Sequence, residues 1–353
     1  MQEVYKRLAQ HLDRIPNGFP ATKSGVELKI LAKLFTPEQA EVACLMSLQA
    51  QSAKSIAENR DQDERATFTI LKAMVKKGLI DAGRGKRGLA FKLIPFIVGF
   101  YERQNADIDE EFARLIEDYY NEALHKMMTV KPSVHRVIPI EKTIPLNVDV
   151  LPYERASYYI EKAKSWGVLP CICRVQKRLI GEGCDHSEEN CLVISSKANA
   201  FKTTAAIKTL TKEEALEVLA QADKEGLVHS TNNVREGVDY ICNCCTCSCG
   251  VLRGLTVYGS PKAVGRSHFY AAVEEDLCAG CGLCVDRCPV NAIEVDDICS
   301  VEKNRCIGCG LCVTTCPEEA LRLQRKEGAE IETPPLDEEE WREQRIASRA
   351  QER

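Results

Sequence analysis

The chain has 353 residues, 44% of them hydrophobic and 28% charged, ordinary values for a globular protein in water. Its net charge of −5 excludes a global basic field for nucleic acid or an anionic membrane. No run of about eighteen apolar residues offers a membrane span. The length allows two or three domains with real cores.

The N-terminal stretch "MQEVYKRLAQHLDRIPNGFP" has neither the apolar run of a signal peptide nor twin arginines, so a cytoplasmic protein is expected. Thiols stay reduced there, and the nineteen cysteines are odd in number and clustered. A disulfide framework is therefore the weakest use for them. "TPEQAEVACLMSL" opens with a cap residue, proline and glutamine, the signature of a helix start at Thr36. A short helix over "SAKSIAEN" and a third over "DQDERATFTILKAMVKKGL", closing at Gly78, follow. Strand, turn and strand over "LIDAGRGKRGLAFKLI" complete a winged-helix reading of residues 36–95. Cys44 falls on the apolar face of the first helix and reads as core.

A winged helix raises DNA as a partner. The N-terminal half of its reading helix, however, carries Asp61, Asp63 and Glu64, which phosphate would repel, while Arg84, Lys86 and Arg87 make the wing basic. Protein contact or dimerisation is the favoured use, and nucleic acid the less favoured. Gly83, Gly85 and Gly88 spell G-x-G-x-x-G, but a strand follows where a dinucleotide site needs a helix. An amphipathic helix over 107–128, with Phe112, Leu115, Ile116, Tyr119 and Leu124 on one side, can pack on this domain or on a second copy. Residues 130–152, rich in proline and β-branched residues, read as an extended connector, and "YERASYYIEKAKSWG" as a helix.

Residues 151–267 hold nine cysteines: Cys171, Cys173, Cys184, Cys191, Cys242, Cys244, Cys245, Cys247 and Cys249. Between them Thr211 and Glu214 form a capping box, and a helix runs to Gly226. In an extended chain Cys171 and Cys173 share a face. Cys242 and Cys244 then point one way and Cys245, Cys247 and Cys249 the other. Nine thiols suffice for two four-cysteine sites. One or two further 4Fe–4S clusters are expected there, with zinc as the alternative. His186 and His229 read as hydrogen-bonding histidines rather than ligands, and Arg174 as a hydrogen-bond or charge partner of a cluster or as a solvated side chain.

The C-terminal third contains a repeat. "EDLCAGCGLCVDRCPVNAIEV" at 275–295 returns 28 residues later as "KNRCIGCGLCVTTCPEEALRL". Each copy reads Cys-x2-Cys-x2-Cys-x3-Cys-Pro, in which three cysteines wrap one cluster and the fourth reaches the other. Residues 268–325 thus resemble a bacterial-type ferredoxin with two 4Fe–4S clusters. The resemblance implies Cys278, Cys281, Cys284 and Cys316 around one cluster, and Cys306, Cys309, Cys312 and Cys288 around the other. It further implies that Gly280, Gly282, Gly308 and Gly310 let backbone approach the clusters. "AAVEED", "AIEV", "SVEKN" and "ALRL" are the expected strands, and Cys299 reads as a small buried side chain. With the central segment "PCICR … CNCC", the chain over 150–325 is similar to multi-cluster ferredoxin-like proteins of anaerobes. Its "CNCCTCSC" differs in carrying Thr246 and Ser248 where further cysteines are expected.

The expected fold is multidomain α+β. A winged-helix-like domain (1–104) precedes a helix and connector (105–150). A cysteine-rich metal-binding α+β domain (151–267), the ferredoxin domain (268–325) and a charged tail (326–353) follow. The tail reads as a solvated helix or disordered, with Trp341 available to a partner. The expected function is one-electron transfer between low-potential protein redox partners. Acidic residues near the loops (Glu274, Glu275, Asp276, Asp286, Glu294) would guide a basic partner. The alternatives are a redox- or iron-sensing winged-helix regulator and a redox enzyme subunit with a substrate-binding central cluster. A homodimer through the N-terminal helices is also possible on this reading.

Overall fold

The computed structural model describes residues 2–59, 62–85, 88–202, 204 and 206–352. Asp61, Lys86 and Arg87 lie outside them. The chain divides into two units, Met1–Met127 with Leu179–Gly181, and Met128–Arg178 with Glu182–Arg353.

The first unit opens with helices α1 (Gln2–Arg14), α2 (Val26–Leu34) and α3 (Pro37–Ala43). Thr36 caps α3 reciprocally: its hydroxyl accepts from Gln39 N at 3.2 Å while its own N–H reaches Gln39 Oε1 at 3.1 Å. Strand β1 (Gln51–Ser52) leads into α4 (Ala53–Glu58) and α5 (Glu64–Lys76). Asp63 is spent as the cap of α5, accepting from Ala66 N at 2.9 Å. Strands β2 (Ile80–Gly85) and β3 (Gly88–Leu93) form an antiparallel hairpin, and β1 adds outside β3 in the order β1-β3-β2. Helix α6 (Glu110–Glu122) is shorter than expected. It buries Phe112, Ile116 and Tyr119 as its pattern requires, whereas Leu115 is half-buried and Leu124 falls in a following 3-10 turn. Phe19 packs against Phe96 at 5.2 Å and Tyr119 at 5.0 Å, ring centre to centre, at the heart of this core. Cys44 is half-buried at the end of α3 rather than in the core.

Glu102 accepts from Gly99 N at 2.6 Å, and burial pushes its carboxyl up to about 7. The folded unit therefore holds a proton there that the unfolded chain releases near 4.3, so stability falls as pH rises from that value through 7. Glu102→Gln should raise the melting temperature at pH 8, by roughly 1–3 kcal/mol in stability given partial exposure of the residue. The gain should shrink at pH 5. Equal gains at both pH values would refute the assignment.

The second unit is built on strands β4 (His135–Val137), β5 (Ser165–Pro170), β6 (Glu189–Ser195), β7 (Lys208–Leu210), β8 (Val228–Asn232), β9 (Tyr240–Cys244) and β10 (Val264–Gly265). They form one sheet, β10-β4-β8-β9-β6-β5-β7, antiparallel apart from the β10–β4 pair. Residues 135–137 of the expected extended connector form an interior strand of this sheet. Three helices, α7 (Ala156–Lys162), α8 (Ile172–Leu179) and α9 (Lys212–Lys224), accompany this sheet. Ile160 and Ala215 from α7 and α9 join Leu192 and Ile241 in a fully buried cluster. The capping box at α9 is present, and Gly226 ends the helix at φ +80°.

Helix α10 (Gly250–Thr256) precedes β10. The C-terminal part adds β11 (Phe269–Val273), α11 (Leu283–Arg287), β12 (Ile293–Val295), β13 (Cys299–Val301) and β14 (Leu321–Arg325). β11 pairs with β14 and β12 with β13, each antiparallel. The tail overturns its expected solvation. Helix α12 (Glu338–Glu352) buries Trp341, whose indole N–H donates to Ser133 O at 3.0 Å. It also buries Arg345, which donates to Val130 O and Pro132 O, each at 2.6 Å.

Candidate metal centres

Two pockets in the C-terminal part are lined by cysteines drawn from both motifs. Cys278, Cys281, Cys284 and Cys316 line the first, and Cys288, Cys306, Cys309 and Cys312 the second. Each motif thus sends its last cysteine across. The chain makes the crossing because α11 ends at Cys288 and a 3-10 turn, Val313–Thr315, ends at Cys316. Backbone amides point at sulfur in both pockets: Cys299 N–H donates to Cys278 at 3.3 Å, Ala292 N–H to Cys288 at 3.2 Å, and Ala271 N–H to Cys306 at 3.5 Å. Such N–H groups stabilise anionic sulfur.

The pockets differ in exposure. Cys281 is exposed, with Leu277 and Leu283 about half exposed beside it. Cys306, Cys309 and Cys312 are all buried, and burial pushes the Cys309 thiol up to about 12. Gly280, Gly282, Gly308 and Gly310 all have positive φ. At Gly308 a side chain would strike Phe269 O and the Ser267 hydroxyl, and at Gly310 it would strike Thr143, so neighbouring chain also demands glycine there. Cys299 is buried as expected, yet it lines the first pocket, its sulfur 3.7 Å from that of Cys284. It stands outside the motif spacing, so no sequence rule could place it.

The nine central cysteines sort differently from strand alternation. Cys171 immediately precedes α8 and Cys173 lies in its first turn, so neither is in extended chain. Cys245 and Cys247 sit in a turn, and Cys249 caps α10. One group comprises Cys171, Cys173, Cys191, Cys242, Cys244 and Cys249. The Cys191 and Cys242 sulfurs are 3.8 Å apart, and hydrogen bonds from Cys242 and Cys249 pull Cys244 well down. Cys171 bonds to Cys173 and pushes it well up. The other group is Cys184, His186, Cys245 and Cys247, whose donor atoms all lie within 4.8 Å of one another. His186 stands among thiols, its Nδ1 within hydrogen-bond reach of the Cys184 sulfur at 3.4 Å. His229, as expected, hydrogen-bonds, its Nδ1 lying 2.6 Å from Asn243 Oδ1.

Arg174 is buried between the groups. It donates to Ser187 O at 3.0 Å, Asn190 Oδ1 at 2.7 Å and Asn243 O at 2.8 Å. Burial works against its charge, but the Cys171 and Cys245 sulfurs outweigh burial and raise its pKa. His135 on β4 was not singled out from sequence. It is buried, neither ring nitrogen has a hydrogen-bond partner among the described residues, and Cys244 acts on it electrostatically. A buried imidazole left so is costly unless the sulfur centre beside it supplies a partner.

Residues 271–323 match the family model of the 4Fe-4S dicluster domain. No curated protein and no solved structure matches the chain. The match makes this an iron–sulfur, metal-binding module of the kind used in electron transfer. Among the described residues no helix is long and apolar enough to cross a membrane.

Proposed function

We propose that the protein carries single electrons between soluble protein partners. Cys278, Cys281, Cys284 and Cys316 would hold one 4Fe–4S cluster, and Cys288, Cys306, Cys309 and Cys312 a second. Four of the six thiols in the larger central group would hold a third. The observation that carries this reading is the pair of pockets, each lined by one complete four-cysteine set with amides aimed at sulfur. Bound clusters supply reversible one-electron chemistry at potentials set by burial, hydrogen bonds and charge.

The chain's own residues give the arrangement a direction. The exposed Cys281 edge, with Leu277 and Leu283 in a rim of exposed Glu275, Asp276 and Asp286, suits docking of a basic partner. In the second set Cys306, Cys309 and Cys312 are buried, and Cys309 O accepts from Ile140 N at 3.0 Å. Cys306, Cys309 and Cys312, with Cys284 of the first pocket, share one buried cluster with Cys244 and Cys249, which supports electron passage between the central group and the C-terminal clusters. Residues 36–95 we read as a winged helix, on the helix, strand, helix, helix, hairpin order and the β1-β3-β2 sheet. With Asp63 and Glu64 at the start of α5, protein contact suits it better than DNA.

The test is iron and acid-labile sulfide per chain after anaerobic purification, followed by a reductive titration monitored by electron paramagnetic resonance. About twelve irons with matching sulfide and reversible one-electron signals are expected. About eight irons would remove the central cluster from the proposal, and no reversible reduction would overturn it.

A further inference from the structure

The smaller central group brings four donor atoms together about one point. The Cys184 sulfur lies 3.9 Å from that of Cys245 and 3.4 Å from His186 Nδ1. Two thiolates on one tetrahedral zinc, each at about 2.3 Å, are separated by about 3.8 Å; a thiolate and an imidazole nitrogen at about 2.0 Å by about 3.5 Å. A 4Fe–4S cube interposes eight atoms and holds its thiolates much farther apart. Among the described residues, neither C-terminal pocket draws three sulfurs within 4.8 Å of one another, but this group does so with four donors.

We propose that Cys184, His186, Cys245 and Cys247 bind a single zinc ion as a structural site, separate from every iron–sulfur cluster. The proposal does not rest on the electron-transfer reading. The donors come from two loops that the surrounding residues hold in place. Ser187 donates through both N–H and hydroxyl to Glu225, at 3.0 and 2.8 Å, and Asn190 Nδ2 donates to Ser187 O at 2.8 Å. Cys249 N–H donates to Cys245 O at 3.1 Å, closing the turn that presents Cys245 and Cys247. Supported ligands of this kind are what a metal site requires.

Charge agrees. Three thiolates and a neutral imidazole around Zn²⁺ leave one negative charge, and the buried Arg174 guanidinium interacts with Cys245. All four positions are filled by protein, so no position remains for a substrate and the role is to pin the chain. What it pins is the turn between Cys244 and Cys249, both members of the larger sulfur group. The site thereby fixes the spacing of two candidate cluster ligands without touching the cluster.

The experiment is zinc, iron and sulfide per chain on the full-length protein, purified without oxygen from zinc-supplemented cells, with X-ray absorption at the zinc edge. About one zinc per chain is expected, in a shell of three sulfurs at about 2.3 Å and one nitrogen at about 2.0 Å. Cys247→Ala and His186→Ala should each lower zinc at least fivefold and leave iron unchanged, while Cys44→Ala keeps both. Zinc far below one per chain in the unaltered protein, zinc undiminished in either variant, or loss of about four irons instead of zinc would overturn the proposal. Should the variants fail to fold, the absorption shell of the unaltered protein decides, since an all-sulfur or oxygen-rich shell excludes the site. An iron content that fails the electron-carrier reading leaves the zinc result standing, and the reverse also holds.

Discussion

Cys316→Ala should abolish the same spectroscopic signal as Cys281→Ala, although the two residues belong to different motifs. Each variant should lose about four irons and leave the remaining clusters titrating normally. Cys288→Ala should instead match Cys309→Ala. The reason is the crossing seen in the pockets, where Cys316 joins Cys278, Cys281 and Cys284. The two pairs should also differ in severity. Cys309 is buried in the large core cluster, so losing its metal leaves thiols and a cavity inside the fold, whereas Cys281 is at the surface. Anaerobic thermal melts should therefore show the larger drop for Cys288→Ala and Cys309→Ala. If Cys316→Ala shared the residual spectrum of Cys309→Ala, each motif would be holding its own cluster and the proposed ligand sets would be wrong.

The second large effect lies at Glu154. This carboxylate is 4% exposed and receives Arg325 through both guanidinium nitrogens at 3.0 to 3.2 Å. It also accepts from Leu151 N at 2.6 Å, and His268 Nδ1 lies 2.7 Å from Oε1. Burial alone would raise its pKa, but His268, Arg325 and the Leu151 amide together hold it below the usual carboxylate range. Glu154→Ala strands the Arg325 charge at the end of β14 and should cost about 3–5 kcal/mol. The melting temperature should fall on the order of 10 °C at pH 7. Because the folded pKa is lowered, this stabilisation is complete above about pH 4.3 and drains away as pH falls through the folded value. The gap between the variant and the parent should accordingly close in acid. A loss below about 1 kcal/mol at pH 7 would show that Arg325 finds other partners.

The grouping of cysteines in the two C-terminal pockets could be read from the chain because three cysteines of each pocket lie within seven consecutive residues. The central sets could not. Alternation presumes extended backbone, but α8 begins just after Cys171 and the chain turns at Cys245. Those two departures regroup Cys249 with Cys244 and leave Cys247 beside Cys184. The short interval from Cys184 to His186 was the one hint of the smaller group, and it is too common a pattern to stand alone. In the tail, the buried positions Trp341, Arg345 and Arg349 recur at helical spacing, but two are arginines, while Ile346 points outward. A search for apolar stripes sees such a helix as solvated. Helix caps at Thr36 and Thr211 needed no tertiary context, since each closes on atoms three residues away.

The docking of Trp341 and Arg345 on residues 130–133 joins the two ends of the second unit across more than two hundred residues. In chain order every cysteine precedes the helix Glu338–Glu352 that makes this docking. The first strand of this unit, His135–Val137, therefore waits for that distant helix before its neighbouring segment is covered. A chain cut ahead of residue 338 would leave the Val130, Pro132 and Ser133 carbonyls without the donors that Arg345 and Trp341 supply.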